Sequence, residues 1–470
     1  MDRYTGCMLG LAIGEALGGP VEGLKEGHIR QLVGEITGFL DAVAAFPDRP
    51  GKWRRKALYA AATQQALAIA DTLAIHGAPD TAALADLYVR LADEGPADAP
   101  FGAHRAVDHI FRHAVQAMRE ARDARSCGQP SAGNAPAARI APAALYYADD
   151  PESLGTAVLD FSLMTHEDPR AIAGALATAR AVALLAASDS GAAAALEIAQ
   201  SLPGWVAEWE SRLDKDRGGF LDPNGGRDRL HQFSSALKAL PSLLKESNDA
   251  LAAQTILNAA NACGLGEHVA QAHAEPAPAS VVMSLYRALT AHSFLSGILA
   301  AVNAGGHAGA VGAMVGALLG ARFGEGAIPE EWTTELLNAD QIRLRARAMR
   351  EHEVDWSAWE DYVEMEKRLT CEERDVTGQA LAENRARIEK ENQRRAERKA
   401  RGAKSASKQL APQDLGFAPP PELWITGAAP VPRDAQDPVE AKKEKALRGR
   451  KRIAWKDGRR EKEKRRKDEE

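Results

Sequence analysis

Hydrophobic residues recur at helical spacing through most of the chain. In residues 63–76, helical spacing places Leu67, Ala70, Leu73 and Ala74 on one apolar face. Residues 171–187 repeat this pattern, and Asp168-Pro169 directly before them suits a helix cap followed by a first-turn proline. The pattern therefore predicts helices over both segments, with Asp168 as the N-cap of the second.

The longest uncharged stretch of the chain lies between Arg287 and Arg322. Its length alone would allow a membrane-spanning helix. It contains His292, Asn303 and His307, however, and the pair Gly305-Gly306 interrupts it. We therefore predict two helices joined by a tight turn, and no membrane partner.

Two rows of glycines stand out because glycine inside a helix costs about 1 kcal/mol relative to alanine. The first row is Gly6, Gly10, Gly14 and Gly18, and the second is Gly312, Gly316, Gly320 and Gly324. A spacing of four places each row on one helix face, where two backbones can approach closely. We predict a tight seam between two helices. Polar residues at its ends, Glu15 and Glu22 near the first row and His307 before the second, favour a composite site.

Composition supports an all-α fold. Hydrophobic residues make up 45% of the chain and aromatics only 5%, with Ala and Leu dominating. The four cysteines form no CxxC pair, which argues against a disulfide framework or a thiolate zinc site. The first four residues do not resemble the start of a signal peptide, so we expect a cytoplasmic protein.

Charge divides the chain unevenly. Residues 380–470 carry 26 basic and 16 acidic residues, whereas the remainder carries 33 and 49. We predict a helical domain over 1–340, a charged helical extension over 341–405, a Pro-rich linker over 406–440 and a basic tail over 441–470, disordered or forming a lone helix. The tail is either a solvated appendage or a contact for nucleic acid or another anionic partner.

Five blocks, in order, resemble the ADP-ribosylglycohydrolase family. Residues 6–22 resemble its opening G-x-x-x-G-x-x-x-G-D-A-L-G-x-x-x-E. Phe101-Gly102 resembles a Tyr-Gly block, and residues 133–142 resemble a G-N-G-A-A-M-R-x-A-P loop. Residues 165–171 resemble T-H-x-D-P-x-A, and residues 293–306 resemble the run into G-G-D-x-D-T. The resemblance implies an orthogonal multi-helix bundle.

The resemblance also implies a chemistry. Members of the family hold two Mg²⁺ ions that position ADP-ribose and the attacking water, and they remove ADP-ribose from modified arginine, in some branches from serine or other acceptors. Mg²⁺ prefers carboxylate and water oxygens in octahedral geometry. Such ions orient the ribose hydroxyls and stabilise developing charge.

This chain departs from the family at the metal ligands. Glu22 matches the first ligand, and Glu15 stands where the family has a nearby aspartate. The family's T-D-D-T becomes a segment ending in Thr63, with Ala61 and Ala62 in place of both aspartates. Its D-x-D-T becomes residues 307–310, so His307, Gly309 and Ala310 replace both aspartates and the threonine. We expect no bound metal or other cofactor, and treat Glu22 and these replaced positions as vestigial metal positions.

Other positions in the five blocks match the family's motifs more closely than the metal-ligand positions do. We expect a ligand to contact Glu22, Gly133, Asn134, Arg139, His166, Gly305, Gly306 and His307. Two metal alternatives remain at this stage: zinc held by His307, Glu22 and Glu15, or by the helical pair His109 and His113.

The leading hypothesis is a catalytically inactive member that binds ADP-ribose, a related nucleotide or an ADP-ribosylated protein. One alternative is an active hydrolase of ADP-ribosyl N- or O-glycosidic bonds with a rebuilt site, in which Glu15 and Glu22 split acid and base roles. Another is an interaction protein that works through its basic tail.

Overall fold

The computed structural model describes residues 2–408 except 98 and 190, with side chains described to residue 398. The regular secondary structure of this part of the chain is helical except for one short strand, β1 (Pro100–Ala103). In chain order the helices are α1 (Arg3–Gly18), α2 (Glu26–Val33), α3 (Ala42–Ala45), α4 (Ala61–His76), α5 (Thr81–Asp93), α6 (His109–Met118), α7 (Ala135–Arg139), α8 (Ala141–Tyr146), α9 (Pro151–Leu163), α10 (Pro169–Ala187), α11 (Ala192–Arg217), α12 (Gln232–Leu237), α13 (Leu240–Glu246), α14 (Asp249–Asn261), α15 (Ala277–Thr290), α16 (Phe294–Asn303), α17 (Ala308–Phe323), α18 (Glu330–Glu335), α19 (Ala339–Glu351) and α20 (Tyr362–Lys408).

The all-α prediction is confirmed, and the predicted helices correspond to α4 and α10. Asp168 caps α10: its Oδ1 accepts a hydrogen bond from the Arg170 backbone N–H at 2.9 Å. The uncharged stretch forms α16 and α17, joined by a turn at residues 304–307. In the described chain, only α10 is long and apolar enough to cross a membrane, and 78% of it is buried inside the fold.

Helices α1 and α17 form an antiparallel seam in which backbone meets backbone. A Cβ atom added to Gly14 would lie 1.9 Å from the Gly312 carbonyl oxygen, and one added to Gly312 would lie 2.2 Å from that of Gly14. In the pairs Gly10–Gly316 and Gly6–Gly320 the corresponding distances are 1.9–2.7 Å. These three pairs are called the glycine seam below. Any side chain within the seam would force the two helices apart.

The last glycine of each row has a different neighbour. Gly18 faces the Ala308 carbonyl oxygen, where α17 begins. Gly324 ends α17, with a φ of +76° that glycine adopts without strain. Because α1 and α17 run antiparallel, the seam brings the end of α1 beside the start of α17. Glu15 and Glu22 thereby come close to His307 and Gly309.

The hydrophobic core continues past the domain end predicted at residue 340. Helix α19 contributes Arg345, which is fully buried and pairs with Asp71 at 2.6 Å. The start of α20 buries Tyr362, Met365 and Leu369. High charge content hid this burial in the sequence, because charges that are paired inside the fold cannot be distinguished by composition from solvated ones.

The chain separates into a first compact unit ending at Arg395 and a second beginning at Ala396. Within the second unit, helix α20 continues to Lys408. The predicted linker and tail lie outside the described residues, apart from residues 406–408.

Candidate functional site

A cavity of about 200 Å³ opens at the end of the glycine seam. It brings together Glu15, Glu22 and every residue predicted from the sequence as a vestigial metal position, although these residues are spread over almost 300 positions of sequence. Its lining residues are Glu15, Gly19, Glu22, Arg54, Ala60, Ala61, Ala62, Gln65, Ala106, Asp108, Ala135, Ala138, His307, Gly309 and Ala310.

Glu15 caps a helix to which it does not belong. Helix α4 begins after Ala60, which has no side chain able to accept a hydrogen bond. The two carboxylate oxygens of Glu15 instead accept from the backbone N–H groups of Ala62 at 2.8 Å and Thr63 at 2.9 Å. A negative charge at a helix N-terminus satisfies free donors and interacts favourably with the helix dipole.

Glu22 does the same for α17, which also lacks a local side-chain cap. Its Oε2 accepts from the Gly309 N–H at 2.5 Å, and its Oε1 lies 3.1 Å from Nε2 of His307. Burial raises the pKa of Glu22, an effect that nearby His307 and the Gly309 N–H partly offset. Both cavity glutamates are therefore already engaged in holding helix ends.

Asn134 fixes the orientation of His307 from the other side. The Ser280 hydroxyl donates to the Pro276 carbonyl at 3.0 Å, so it accepts from Nδ2 of Asn134 at 2.9 Å. This hydrogen-bond network assigns the Asn134 Oδ1 to the side of His307, 3.0 Å from its Nδ1. Nδ1 of His307 then donates to Asn134, and Nε2 faces Glu22.

Arg139 and His166 lie behind the cavity wall. Arg139 is 1% exposed and donates to Oε1 of Gln65, a lining residue, at 2.7 Å. Its second nitrogen donates to the Thr165 hydroxyl, which lies 2.9 Å from Nδ1 of His166. Burial, and secondarily the Arg139 charge, hold the pKa of His166 well below its ordinary value, so this imidazole is neutral.

Three of the predicted contact residues shape the backbone and do not line the cavity. Gly305 and Gly306 have φ values of +73° and +72°, and a Cβ on Gly305 would lie 2.2 Å from the Leu24 carbonyl oxygen. Their turn docks on the segment after Glu22 through the bond from the Gly306 N–H to Leu24 at 2.8 Å. Gly133 pairs with Pro276 in an isolated bridge.

Sequence reasoning missed several residues at the cavity. Arg54 lines it, with a hydrogen bond to the Trp53 carbonyl at 2.7 Å and no ion pair among the described residues. Lys52 donates to the Glu22 carbonyl. Asp108 lines the cavity and caps α6 through the Phe111 N–H at 2.7 Å. No sequence pattern singled out Arg54 or Lys52. The Phe101-Gly102 block, which precedes α6, was the only available hint of Asp108.

The oxygen donors of the cavity do not fit a pair of Mg²⁺ ions. Each ion needs about six oxygen ligands, but the described residues line the cavity with only three carboxylates, those of Glu15, Glu22 and Asp108, and each of them already accepts a backbone hydrogen bond. No group of three or more His, Cys, Asp or Glu residues suited to a metal occurs in the described part of the chain. His109 and His113 are exposed on α6, with ring centroids 6.1 Å apart.

Comparisons with known proteins agree on one family. The sequence model of the ADP-ribosylglycohydrolase family matches residues 1–358. A similar protein is the ADP-ribosyl-[dinitrogen reductase] glycohydrolase of Rhodospirillum rubrum, 30% identical over 186 residues. That match covers 38% of this chain and 57% of the relative, so a little over half of the relative's length is spanned.

Two further comparisons add to this. A short match, 56% identical over 39 residues, joins the chain to an uncharacterized protein of Archaeoglobus fulgidus and covers 8% of this chain and 13% of that one. Among solved structures, a chain described as an ADP-ribosylglycohydrolase-related protein complex is similar, with a TM-score of 0.51 and 25% identity. The likeness covers 75% of this chain and 98% of the other.

Proposed function

This chain belongs to the ADP-ribosylglycohydrolase family, and we propose that it is a member that binds an ADP-ribosyl group without metal and without hydrolysing it. The observation that carries this proposal is the cavity itself. The vestigial metal positions still surround one space, but alanines and two glycines line much of it, and its two glutamates cap helices.

The size of the cavity suits one end of an ADP-ribosyl group and not the whole of it. Pockets that enclose a whole drug-sized ligand measure about 300–1,000 Å³, whereas this cavity measures about 200 Å³. We infer that a terminal ribose enters, while the remainder of the nucleotide, or the modified protein, stays outside. Arg54 offers a cation for the ligand's phosphates without requiring that an existing ion pair be broken.

The arrangement also argues against a rebuilt hydrolase. A general base must have a free lone pair within reach of the water that it activates. Both ring nitrogens of His307 already face oxygens, at 3.1 Å and 3.0 Å. The Glu15 carboxylate already accepts two backbone hydrogen bonds. The imidazole of His307 is therefore not free to activate water without giving up a contact, and the carboxylate of Glu15 is held in place by the start of α4.

Calorimetric titration of the full-length protein with ADP-ribose, in Mg²⁺ and then in EDTA, tests the proposal. We expect equal affinity in both conditions and no ADP-ribose released from ADP-ribosyl-arginine. Turnover that requires Mg²⁺ and stops in EDTA would show an active enzyme instead. Failure of the full-length protein to bind ADP-ribose would also contradict the proposal.

A pair of variants locates the binding site. Ala61→Phe fills the cavity from the first residue of α4 and should abolish binding. Ala250→Phe adds the same side chain at an exposed position at the start of α14, away from the cavity, and should bind normally. Equal binding by both variants would place the ligand elsewhere.

A further inference from the structure

Helix α20 begins after the region that matches the family, which ends at residue 358. We propose that the first part of α20 holds two walls of the cavity in place and that Glu366 is a positioning residue for the ligand-facing segment 59–64. The part of the proposal that concerns affinity rests on the proposed function, whereas the part that concerns local order does not.

Glu366 holds both ends of that segment. Its side chain is fully buried, with Oε1 accepting from the Tyr59 hydroxyl at 2.6 Å and Oε2 from Nε2 of Gln64 at 2.8 Å. Between these two anchors lie Ala60, Ala61 and Ala62, which line the cavity. Glu15 holds the same segment from α1, so the cavity wall is clamped between two buried carboxylates.

Arg105 supplies the charge that allows Glu366 to be buried. Its Nη2 lies 2.7 Å from Oε2 of Glu366, and its side chain is 2% exposed. It also donates to the Tyr59 carbonyl at 3.1 Å and to the Thr370 hydroxyl at 3.0 Å. Breaking a buried pair leaves an uncompensated charge, so the effect of losing Glu366 should spread to these partners.

Helix α20 holds a second cavity wall through more exposed contacts. The Arg55 side chain pairs with Glu372, and the Arg55 backbone N–H donates to Glu373 at 3.2 Å. Further along, Asn384 donates to the Pro47 carbonyl at 3.0 Å and Arg387 pairs with Asp48 at 2.8 Å. Residues 47–55 are thus fixed at both ends to one helix.

The residues between these two anchors reach the cavity. Lys52 donates to the Glu22 carbonyl and Arg54 lines the cavity. Helix α20 therefore positions both the alanine wall and the cation proposed to meet the ligand. Loss of a contact between α20 and either wall should therefore change the order of the cavity, although α20 itself does not line it.

Two variants of the full-length protein test this arrangement. Glu366→Gln removes the buried charge, and Arg55→Gln removes a partly exposed anchor whose loss the fold should tolerate. Arg395→Gln breaks an exposed pair within α20, to Glu391, and serves as the matched control. The readouts are backbone hydrogen exchange without ligand and the affinity for ADP-ribose, both measured well below the unfolding temperature.

We expect Glu366→Gln to speed exchange in residues 59–64 and Arg55→Gln to speed exchange in residues 47–55, with α10 unchanged. Each should weaken ADP-ribose binding about tenfold, the scale seen when a residue acts through others. Arg395→Gln should match the unmodified protein. If Glu366→Gln does not fold, Tyr59→Phe takes its place: it removes the hydroxyl that donates to Oε1 of Glu366 and should also speed exchange in residues 59–64.

Two outcomes would overturn the proposal. One is wild-type exchange and affinity in the variants that fold. The other is backbone hydrogen exchange that rises equally in α10 and at the cavity, because a uniform rise would show that the substituted residue only stabilises the fold as a whole. If the unmodified protein does not bind ADP-ribose, the proposed function fails, but local exchange still decides whether α20 orders the cavity walls.

Discussion

The glycine seam and the cavity at its end place opposite demands on the side chains that border them. Within the seam, an added Cβ would lie 1.9–2.7 Å from a facing backbone oxygen, so no side chain is tolerated. At the cavity, Ala60, Ala61 and Ala62 border open space, and larger side chains would be accommodated.

This difference separates the residues that hold the two seam helices together from the residues that shape the cavity. The seam depends on the absence of side chains, so its residues have no room to vary. The cavity wall depends on which side chains are present, and here Ala61, Ala62, His307 and Gly309 line it. Because Glu15 and Glu22 cap α4 and α17, two of the remaining carboxylates contribute to stability whether or not a ligand binds.

The largest effect should come from a side chain placed in the seam. Gly14→Ala would put a methyl group 1.9 Å from the Gly312 carbonyl oxygen, and should lower the free energy of unfolding by about 3 kcal/mol or more. Urea unfolding measures the change. Gly204→Ala is the matched control: it lies in α11 with no atom within 4 Å of the added Cβ, and should gain up to about 1 kcal/mol. Equal stability of the two variants would show that the seam tolerates side chains, in contradiction to the comparison drawn above.

Loss of the cap on α4 should rank second. Glu15→Ala deletes the acceptor of the Ala62 and Thr63 N–H groups, and should cost about 2 kcal/mol of folding free energy. Glu26→Ala, which removes an exposed pair with Arg30, should cost less than about 0.5 kcal/mol. A Glu15→Ala protein that is stable but no longer binds ADP-ribose would show that this carboxylate serves the ligand instead of the helix.

A smaller effect, confined to binding, is expected at the cavity rim. Arg54→Ala should weaken ADP-ribose binding about tenfold, which corresponds to about 1.4 kcal/mol, while leaving thermal stability close to that of the unmodified protein. Calorimetric titration measures the affinity. Arg30→Ala, an exposed arginine on α2, is the control. Unchanged affinity in Arg54→Ala would exclude this residue from ligand contact.

The smallest effect is a pH dependence at Glu22. Burial raises the pKa of this carboxyl above its ordinary 4.5, so the folded state holds the proton more tightly than the unfolded state. The resulting contribution to stability is complete below pH 4.5 and is lost as the pH rises through the higher, folded-state pKa. The stability of the unmodified protein relative to Glu22→Gln should therefore fall as the pH rises. A constant or rising difference would show that the pKa is not raised.

The sequence by itself determined the helical fold, the seam and the cap on α10. Each follows from short-range rules: apolar spacing fixes a helix face, glycines four apart mark a close approach, and Asp168-Pro169 marks a helix start. The resemblance to the family also predicted that Glu22, Ala61, Ala62, His307 and Gly309 lie at one site. Five blocks in the family's order imply the family's fold, and the fold determines which distant residues are neighbours.

Only the tertiary structure decided what those residues do. Glu15 and Glu22 cap helices that begin tens to hundreds of residues away, and Arg54 and Asp108 reach the cavity from segments without a distinctive pattern. Helix α20 reads as a charged extension in the sequence, yet Glu366 is buried against Arg105 and Tyr59. Charge and spacing are local properties of a chain, whereas burial and hydrogen-bond partners depend on which distant segments the fold packs together.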